Sequence, residues 1–266
     1  MKIEDFTAEV WEQGRKLYRE MPWRQDVRPY YVLVSELMLQ QTQVDRVVPK
    51  FRAFIERFPD EKSLAEATLA DVLALWSGLG YNRRARFLWL AAQKITTEFH
   101  GVFPSTYNDL LSLPGVGKNT AGAILAYAFN QPALFIETNV RTVLFHHFFP
   151  GDEKVDDKQL LEVLGEAIDK EHPREFYWAL MDYGTYLKKN KVRNITRSRH
   201  YKKQSALKGS VREVRGQIIR SLVAVEITVE NLQELLNSDA RFEPALQGLI
   251  RDGLVEQNGN WLYLTK

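Results

Sequence analysis

The sequence predicts a mainly α protein that closes with a small α+β unit. Three observations carry this. Apolar residues recur at helical spacing from the start to about residue 187. Pro22, Pro59, Pro104, Pro114, Pro150 and Pro173 fall between those periodic stretches, where helices begin or end. From about Ser210 the texture changes to three helical stretches followed by two short apolar runs around Asn258-Gly259.

The 266 residues are 45% apolar and 26% charged, which is enough to bury one large core or two modest ones and argues against disorder. No apolar run approaches the roughly 18–20 residues needed to cross a bilayer, and the opening MKIEDFTAEV is too acidic for a signal peptide. The expectation is a cytoplasmic protein, nucleoid-associated if it binds DNA, with no membrane contact. With no cysteine, these residues hold no disulfide, no thiolate zinc site and no cysteine-ligated iron–sulfur cluster.

Taken in order, Ser63-Leu64-Ala65-Glu66 reads as a capping box that opens a helix. A helical pattern from Pro104 through Leu111 is broken at Pro114-Gly115-Val116-Gly117 and resumes from Thr120 to Phe129, so two helices are joined by a tight glycine turn. Between Lys188 and Lys208 lie nine basic residues and no acid, so the rest of the chain carries a net −7 against +2 for the whole. This run is either a solvated basic linker or a segment that tracks phosphates. Beyond it, Arg212–Val225, Thr228–Leu236 and Phe242–Asp252 read as helices, and Leu254–Leu264 as a hairpin turning at Asn-Gly. Three helices closed by a hairpin form a winged-helix-like unit, an architecture that binds DNA through its third helix or serves as a protein-interaction module. The expected organisation is therefore 1–187, a basic segment 188–209, and 210–266.

Leu113-Pro114-Gly115-Val116-Gly117-Lys118-Asn119-Thr120-Ala121-Gly122 is the most specific string. Glycines that take positive φ turn the backbone sharply and aim amides at the start of the next helix, where they grip a phosphate, and Lys118 adds a charge. A glycine-rich connector with no ligand is the alternative for Pro-Gly-Val-Gly alone; the full string between two amphipathic helices favours phosphate.

Leu113 to Gly122 resembles the hairpin of the helix-hairpin-helix glycosylases, the superfamily of endonuclease III and the MutY-type adenine DNA glycosylases. Pro22-Trp23-Arg24, Ser35–Val44, and Leu75–Tyr81 with Arg83-Arg84-Ala85-Arg86 resemble the adenine branch in particular, and the similarity spans about residues 5–187. The resemblance implies a helix-hairpin-helix glycosylase fold followed by the winged-helix-like unit. It also implies double-stranded DNA with a lesion or mismatch as partner and contacts from Gly115, Val116, Gly117, Lys118 and Thr120 to the backbone; a monomer is expected because the sequence carries no visible dimerisation signature. A monovalent cation at 113–118 belongs to the same picture; no other cofactor is expected.

Removing adenine requires an acid, because the protonated base leaves far more readily than its anion. Glu36 lies among apolar neighbours from Tyr30 to Leu39, where desolvation raises a carboxyl pKa toward the useful range, unless it sits on a wet helix face. By resemblance it protonates the base at N7 and later handles the attacking water. An oxocarbenium-like transition state also calls for a nearby anion. The family places an aspartate there within Asp-x-Asn-Val; here Glu137-Thr138-Asn139-Val140 puts Glu137 in that place, with Asn139 beside it. Bifunctional relatives carry an attacking lysine one residue after Lys118, where this chain has Asn119, so base removal without efficient strand cleavage is expected. The resemblance further assigns Gln41 as a wedge, Tyr81 as an inserted side chain, Leu39 to the extruded base, and Trp23, Arg24 and Asp182 to base recognition. Arg24 and Asp182 taken singly also read as an ordinary ion pair.

Two departures stand out. Most relatives carry four cluster-binding cysteines after Met-Asp-x-Gly, whereas here Thr185-Tyr186-Leu187-Lys188 leads into the basic run; the chain resembles the cluster-lacking members of the group, and Lys188, Lys189, Lys191 and Arg193 are expected to supply the DNA contact without metal. Nor does anything after Ser210 resemble the domain that reads 8-oxoguanine in the adenine enzymes. The leading expectation is a monofunctional adenine glycosylase acting at mispairs; the alternatives are uracil or thymine removal from mispairs, and a catalytically inactive lesion sensor, which the change at Glu137 permits.

Overall fold

A computed structural model describes residues 1–151, 154–192, 196, 198 and 206–265. It is mostly helical with one small sheet, as the sequence predicts. The chain forms two compact units, each assembled from separate stretches: Met1–Val32, Ser105–Ser112 and Val116–Lys203 make one, and Leu33–Pro104, Leu113–Gly115 and Gln204–Lys266 make the other.

In the first unit, α1 (Ile3–Leu17) buries Phe6 and Val10 and packs along α12 (Pro173–Lys189) and α11 (Asp157–Ala167). Gly14 permits this approach, since a Cβ there would lie 2.5 Å from that of Ala179. Helix α12 also packs on α10 (Thr138–His147) and on α9 (Lys118–Phe129), which meets α8 (Tyr107–Leu111). Helix α8 is shorter than expected. The Thr106 hydroxyl accepts from Asp109 N at 3.2 Å and fixes the start there, so Pro104 and Ser105 stay outside. After the turn, α9 begins at Lys118, two residues before the expected start. The short α2 (Pro22–Gln25) completes this unit's N-terminal stretch.

The second unit takes up the chain inside α3 (Pro29–Leu39) and continues with α4 (Val44–Arg57), α5 (Glu61–Ala65), α6 (Leu69–Trp76) and α7 (Arg83–Thr97). The capping box expected from Ser63 lies one turn earlier. Asp60 is the N-cap, its carboxylate accepting from Ser63 N at 2.8 Å, while the Ser63 hydroxyl reaches back to Asp60 N. Pro59 has no N–H to extend the helix, and the acid after it is the stronger acceptor.

The C-terminal part of this unit runs α13 (Val211–Ala224), β1 (Ile227–Thr228), α14 (Val229–Leu235), α15 (Phe242–Arg251), β2 (Val255–Asn258) and β3 (Trp261–Leu264), with an antiparallel sheet ordered β1-β3-β2. Val214, Ile218, Leu232, Phe242, Leu246, Leu249 and Leu262 form its core, and α13 also packs on α6. The hairpin turns one residue later than expected. Asn258 pairs with Trp261, so Gly259 and Asn260 are central, and Gly259 at φ +57 supplies the positive φ that the strand twist demands. Among the described residues no helix is long and apolar enough to cross a membrane.

Candidate active site

The start of α10 is fixed from three sides. Its approach strand is held by Tyr177 on α12, whose hydroxyl donates to Ala133 O at 2.8 Å and accepts from Phe135 N at 3.2 Å, with the two rings stacked 4.0 Å apart. Burial pushes this phenol well above its ordinary pKa, so it stays a donor. Gly122 on α9 lets Phe135 close in, for a Cβ there would fall 2.9 Å from the Phe135 ring. Asn119 then donates its side-chain amide to Ile136 O at 2.9 Å, one residue before Glu137. Asn119, at the position where the resemblance places a nucleophilic lysine in bifunctional relatives, thus ties α9 to the backbone that presents the carboxylate.

Glu137 is the N-cap of α10, but its side chain makes no capping hydrogen bond, so the carboxylate is not consumed by the helix's own amides. In the first turn, the buried Oδ1 of Asn139 has no hydrogen-bond partner among the described residues. Gly184 backs this turn. Its missing Cβ would lie 2.8 Å from both the carbonyl carbon and Cα of Asn139, so α12 can reach α10 here only without a side chain. Arg141, on the same helix, is buried and donates to Ser198 Oγ at 3.1 Å and Asp157 Oδ2 at 3.0 Å, so the basic segment is anchored at Ser198 to the helix carrying Glu137 and Asn139. Desolvation holds this guanidinium below the usual range, opposed by Asp157.

Asp182 and Arg24 form a buried network rather than a surface pair. Asp182 is 2% exposed and accepts from both terminal nitrogens of Arg24, at 2.7 and 3.1 Å, and from Arg19 Nε and N, at 2.6 and 3.1 Å. Arg24 in turn lies over the rings of Tyr18 and Trp178. With its carboxylate engaged in this way, Asp182 orients two arginines. Trp23, next to Arg24 on α2, is likewise buried.

In the glycine turn, Gly115 at φ +80 is required twice over: few side chains adopt that backbone, and a Cβ would fall 2.7 Å from that of Phe87. Gly117 differs from the expectation for this motif. It has φ −92 as the N-cap of α9, and nothing lies within 4 Å of where its Cβ would be. Among the described residues no side-chain hydrogen bond caps this helix start, so the open face of Gly117 leaves its first amides accessible to an anion, and Val116 next to it is buried.

Lys188 and Lys189 end α12, exposed, with Lys191 just beyond at φ +65. Desolvation by the surrounding protein, aided by Arg19, holds the Lys188 ammonium below the ordinary lysine range, with Glu137 opposing. Arg193 lies outside the described residues. The resemblance implies an iron–sulfur cluster here in most relatives; these residues do not fit one, because Lys188 stands near the first thiolate position and the chain has no cysteine. Among the described residues no group of three His, Cys, Asp or Glu is placed to hold a metal ion.

The remaining predicted residues belong to the second unit. Glu36 is half-buried on α3 between the fully buried Ser35 and Leu37. Leu39 ends that helix, and Gln41 follows, exposed at φ +55. Tyr81 sits at φ +50 after Gly78 and Gly80, both of positive φ. A residue that sequence reasoning missed joins these two loops. Arg84 Nη1 donates to the carbonyls of Leu37, Met38 and Gln40 at 2.6, 3.0 and 2.6 Å. Its Nη2 reaches Thr42 Oγ1 at 3.2 Å and the carbonyls of Leu79 and Gly80 at 3.4 and 3.0 Å. One guanidinium therefore satisfies the orphan carbonyls ending the Glu36 helix and fixes the turn bearing Tyr81. Desolvation brings it down to about 10. The signal was the Arg-Arg-Ala-Arg string, where only the burial pattern separates Arg84 from its neighbours.

The family model for HhH-GPD superfamily base excision DNA repair proteins matches residues 34–169. The chain is 39% identical over 185 residues to an adenine DNA glycosylase of Buchnera aphidicola subsp. Baizongia pistaciae, covering 68% of this chain and 52% of that protein. It is 32% identical over 276 residues to an adenine DNA glycosylase of Mycobacterium tuberculosis (strain CDC 1551 / Oshkosh), covering 95% and 90%. The chain thus spans about half the length of the Buchnera relatives and most of the mycobacterial one. The fold matches the structure of a thermostable thymine-DNA glycosylase with a TM-score of 0.61 and 23% identity, over 68% of this chain and 85% of that one. The hairpin geometry and these matches agree that the chain belongs to the helix-hairpin-helix superfamily of base excision DNA repair proteins, on its MutY-type adenine DNA glycosylase branch.

Proposed function

We propose that this protein is a monofunctional DNA glycosylase that removes adenine from a mispair in duplex DNA. The observation that carries the reading is the tie between Asn119 and the carbonyl of Ile136 beside Glu137, which puts an amide where a strand-cleaving relative has an amine and presents a carboxylate next to it. In this scheme Glu36 gives its proton to adenine N7, the bond from C1′ to N9 breaks with its electrons leaving on the neutral base, and Glu137 opposes the positive charge on the sugar. Water then adds its oxygen to C1′, and its proton returns to Glu36. No amine attacks C1′, so no Schiff base forms and the strand stays intact.

The organisation that fits is a glycosylase domain over 1–187, a DNA-contacting basic segment over 188–209, and the winged-helix-like unit over 210–266. The Gly115–Thr120 turn grips a phosphate. A monovalent cation at 113–118 would be held by main-chain carbonyls and would add positive charge facing the backbone.

The test is a panel of labelled duplexes carrying A, U, T, hypoxanthine or 8-oxoguanine against each partner, treated with enzyme and then with alkali. Adenine excision that requires the alkali step to break the strand is the expected result. Glu36→Gln should lose roughly 10²–10⁴-fold in rate with binding intact. Binding without excision of any base would instead make the protein a lesion sensor, and excision restricted to U or T would place it with the pyrimidine mismatch enzymes.

A further inference from the structure

The C-terminal segment makes a set of contacts that the excision chemistry does not use. Arg212, in the first turn of α13, hydrogen-bonds the Tyr81 hydroxyl through Nη1, and its guanidinium lies 5.0 Å from the centre of the Tyr81 ring. Around it, Asp252 at the end of α15 pairs with Arg215 of α13 and, at 3.6 Å, with Arg83 at the start of α7. Gly253 at φ +64 comes so close to Arg86 that a Cβ would fall 3.0 Å from its guanidinium carbon. All these residues lie in one compact unit, so α13 and the α15–β2 turn are seated on the α6–α7 turn and the first turn of α7.

That turn is already over-determined from its other side. Gly78 O accepts from Arg46, Leu79 O and Gly80 O accept from Arg84, and Gly80 O also accepts from Trp76 Nε1 at 3.2 Å. Tyr81 itself holds a left-handed backbone, which a bulky residue keeps only where its surroundings impose it. The backbone ties fix where the side chain starts, and Arg212 fixes where the ring points.

The charge of the C-terminal segment fits a part that faces protein. Residues 210–266 carry six basic and eight acidic side chains. Arg212, Arg215 and Arg241 are engaged by Tyr81, Asp252, and Glu213 with Asp239 respectively. The outward positions of α15 are Glu243, Pro244, Gln247 and Arg251, which is not the basic face of a helix that enters a groove.

We propose that the C-terminal winged-helix-like unit is a brace for the strand-opening turn, and that Arg212 is the positioning residue that orients Tyr81 for insertion into the base stack. The inference rests on the glycosylase reading for its substrate, and its central measurement does not need base removal. Full-length wild type, Arg212→Ala, Tyr81→Ala and the double variant are compared on a duplex holding 2-aminopurine at the target position, whose fluorescence reports unstacking.

Arg212→Ala should lower the opening equilibrium by about tenfold, the scale of one charge-assisted hydrogen bond with a cation–π contact, and should add less than about twofold once Tyr81 is Ala. Excision from a mispaired duplex should fall by a similar factor, while excision of the same adenine from an unpaired loop, which needs no wedge, should change by less than about twofold. A purely structural role would depress both substrates alike. Should Arg212→Ala unfold, Arg212→Gln keeps a donor for the hydroxyl without the planar cation, and its expected opening is intermediate.

Wild-type opening by Arg212→Ala, equal losses on duplex and loop, or full additivity with Tyr81→Ala overturns the brace. So does a wild-type protein that opens no duplex. A wild-type protein that opens the duplex but excises nothing overturns the glycosylase reading and leaves the brace to the opening data.

Discussion

Gly184→Ala is the sharpest perturbation the structure offers, because the obstacle is main chain on both sides. The new methyl would sit 2.8 Å from the carbonyl carbon and Cα of Asn139. Carbon atoms in contact prefer at least 3.5 Å, so α10 and α12 must part by about 0.7 Å. Overpacking of this kind costs roughly 1–3 kcal/mol, and the helix-propensity gain of alanine over glycine returns about 1 kcal/mol. A net loss of up to about 2 kcal/mol lowers the midpoint of thermal unfolding by up to roughly 8 °C for a protein of this size. The larger effect is predicted on chemistry: the helix that moves carries Asn139 and begins at Glu137, and a misplacement approaching 1 Å costs up to about 10²-fold in rate. Differential scanning calorimetry and single-turnover excision from a mispaired duplex measure the two parts. Gly216→Ala is the control. It lies inside α13, its added Cβ would meet only the Arg220 guanidinium at 3.4 Å, and it should stabilise by about 0.5–1 kcal/mol with unchanged excision. A Gly184→Ala protein with wild-type stability and single-turnover rate would refute the account of how α10 is positioned.

Acid should destabilise the protein through His147, which burial, reinforced by His146, pushes down to about 4. The unfolded chain then binds a proton near pH 6.5 that the folded one refuses, so stability falls as pH drops from about 6.5 toward 4, by roughly 1–2 kcal/mol after allowing for partial exposure. Urea midpoints at pH 7 and 5 should differ less in His147→Phe than in wild type, and equal slopes would discard the assignment. Arg84→Ala should cost about 3–5 kcal/mol in urea unfolding, since it strands buried carbonyls in two loops, and Arg84→Lys should restore little because an ammonium cannot span both; wild-type stability in either would contradict the clamp. Neutralising Lys188, Lys189, Lys191 and Arg193 together should lower the slope of log K against log salt by about 0.9 for each DNA phosphate that these side chains neutralise in the wild type, and an unchanged slope would remove the segment from the DNA interface.

The helical architecture and the winged-helix-like tail were legible because they rest on periodicity and turn residues, which one sequence carries in full. Errors fell where two local signals competed: Ser63 and Asp60 both cap well, and only the chain direction after Pro59 chose between them. Likewise Asn258-Gly259 and Gly259-Asn260 both turn well, and the register of Leu262 against Gln257 selected the second. The hairpin glycines looked alike in sequence, yet Gly115 is demanded by φ and by Phe87, while Gly117 is demanded by neither and offers open backbone. What the sequence hid was the set of long-range ties. Asn119 to Ile136, Gly184 against Asn139, Arg84 to Leu37 and Arg212 on Tyr81 join residues from 17 to 131 positions apart, and no local pattern marks them.

Those ties also bear on the glutamate at 137, where the family pattern has aspartate. If the longer side chain were accommodated by a shift of the main chain, the strand before α10 would need slack. It has little: Tyr177 holds residues 133 and 135, Phe135 lies close against the open face of Gly122, Asn119 holds the carbonyl of residue 136, and Gly184 is pressed on residue 139. The Cα of Glu137 is therefore placed by its neighbours on both sides, and the additional methylene must be taken up within the side chain, by rotation about two bonds from a fixed origin. The departure from the family pattern is thus a change in side-chain reach from a backbone frame that is set independently.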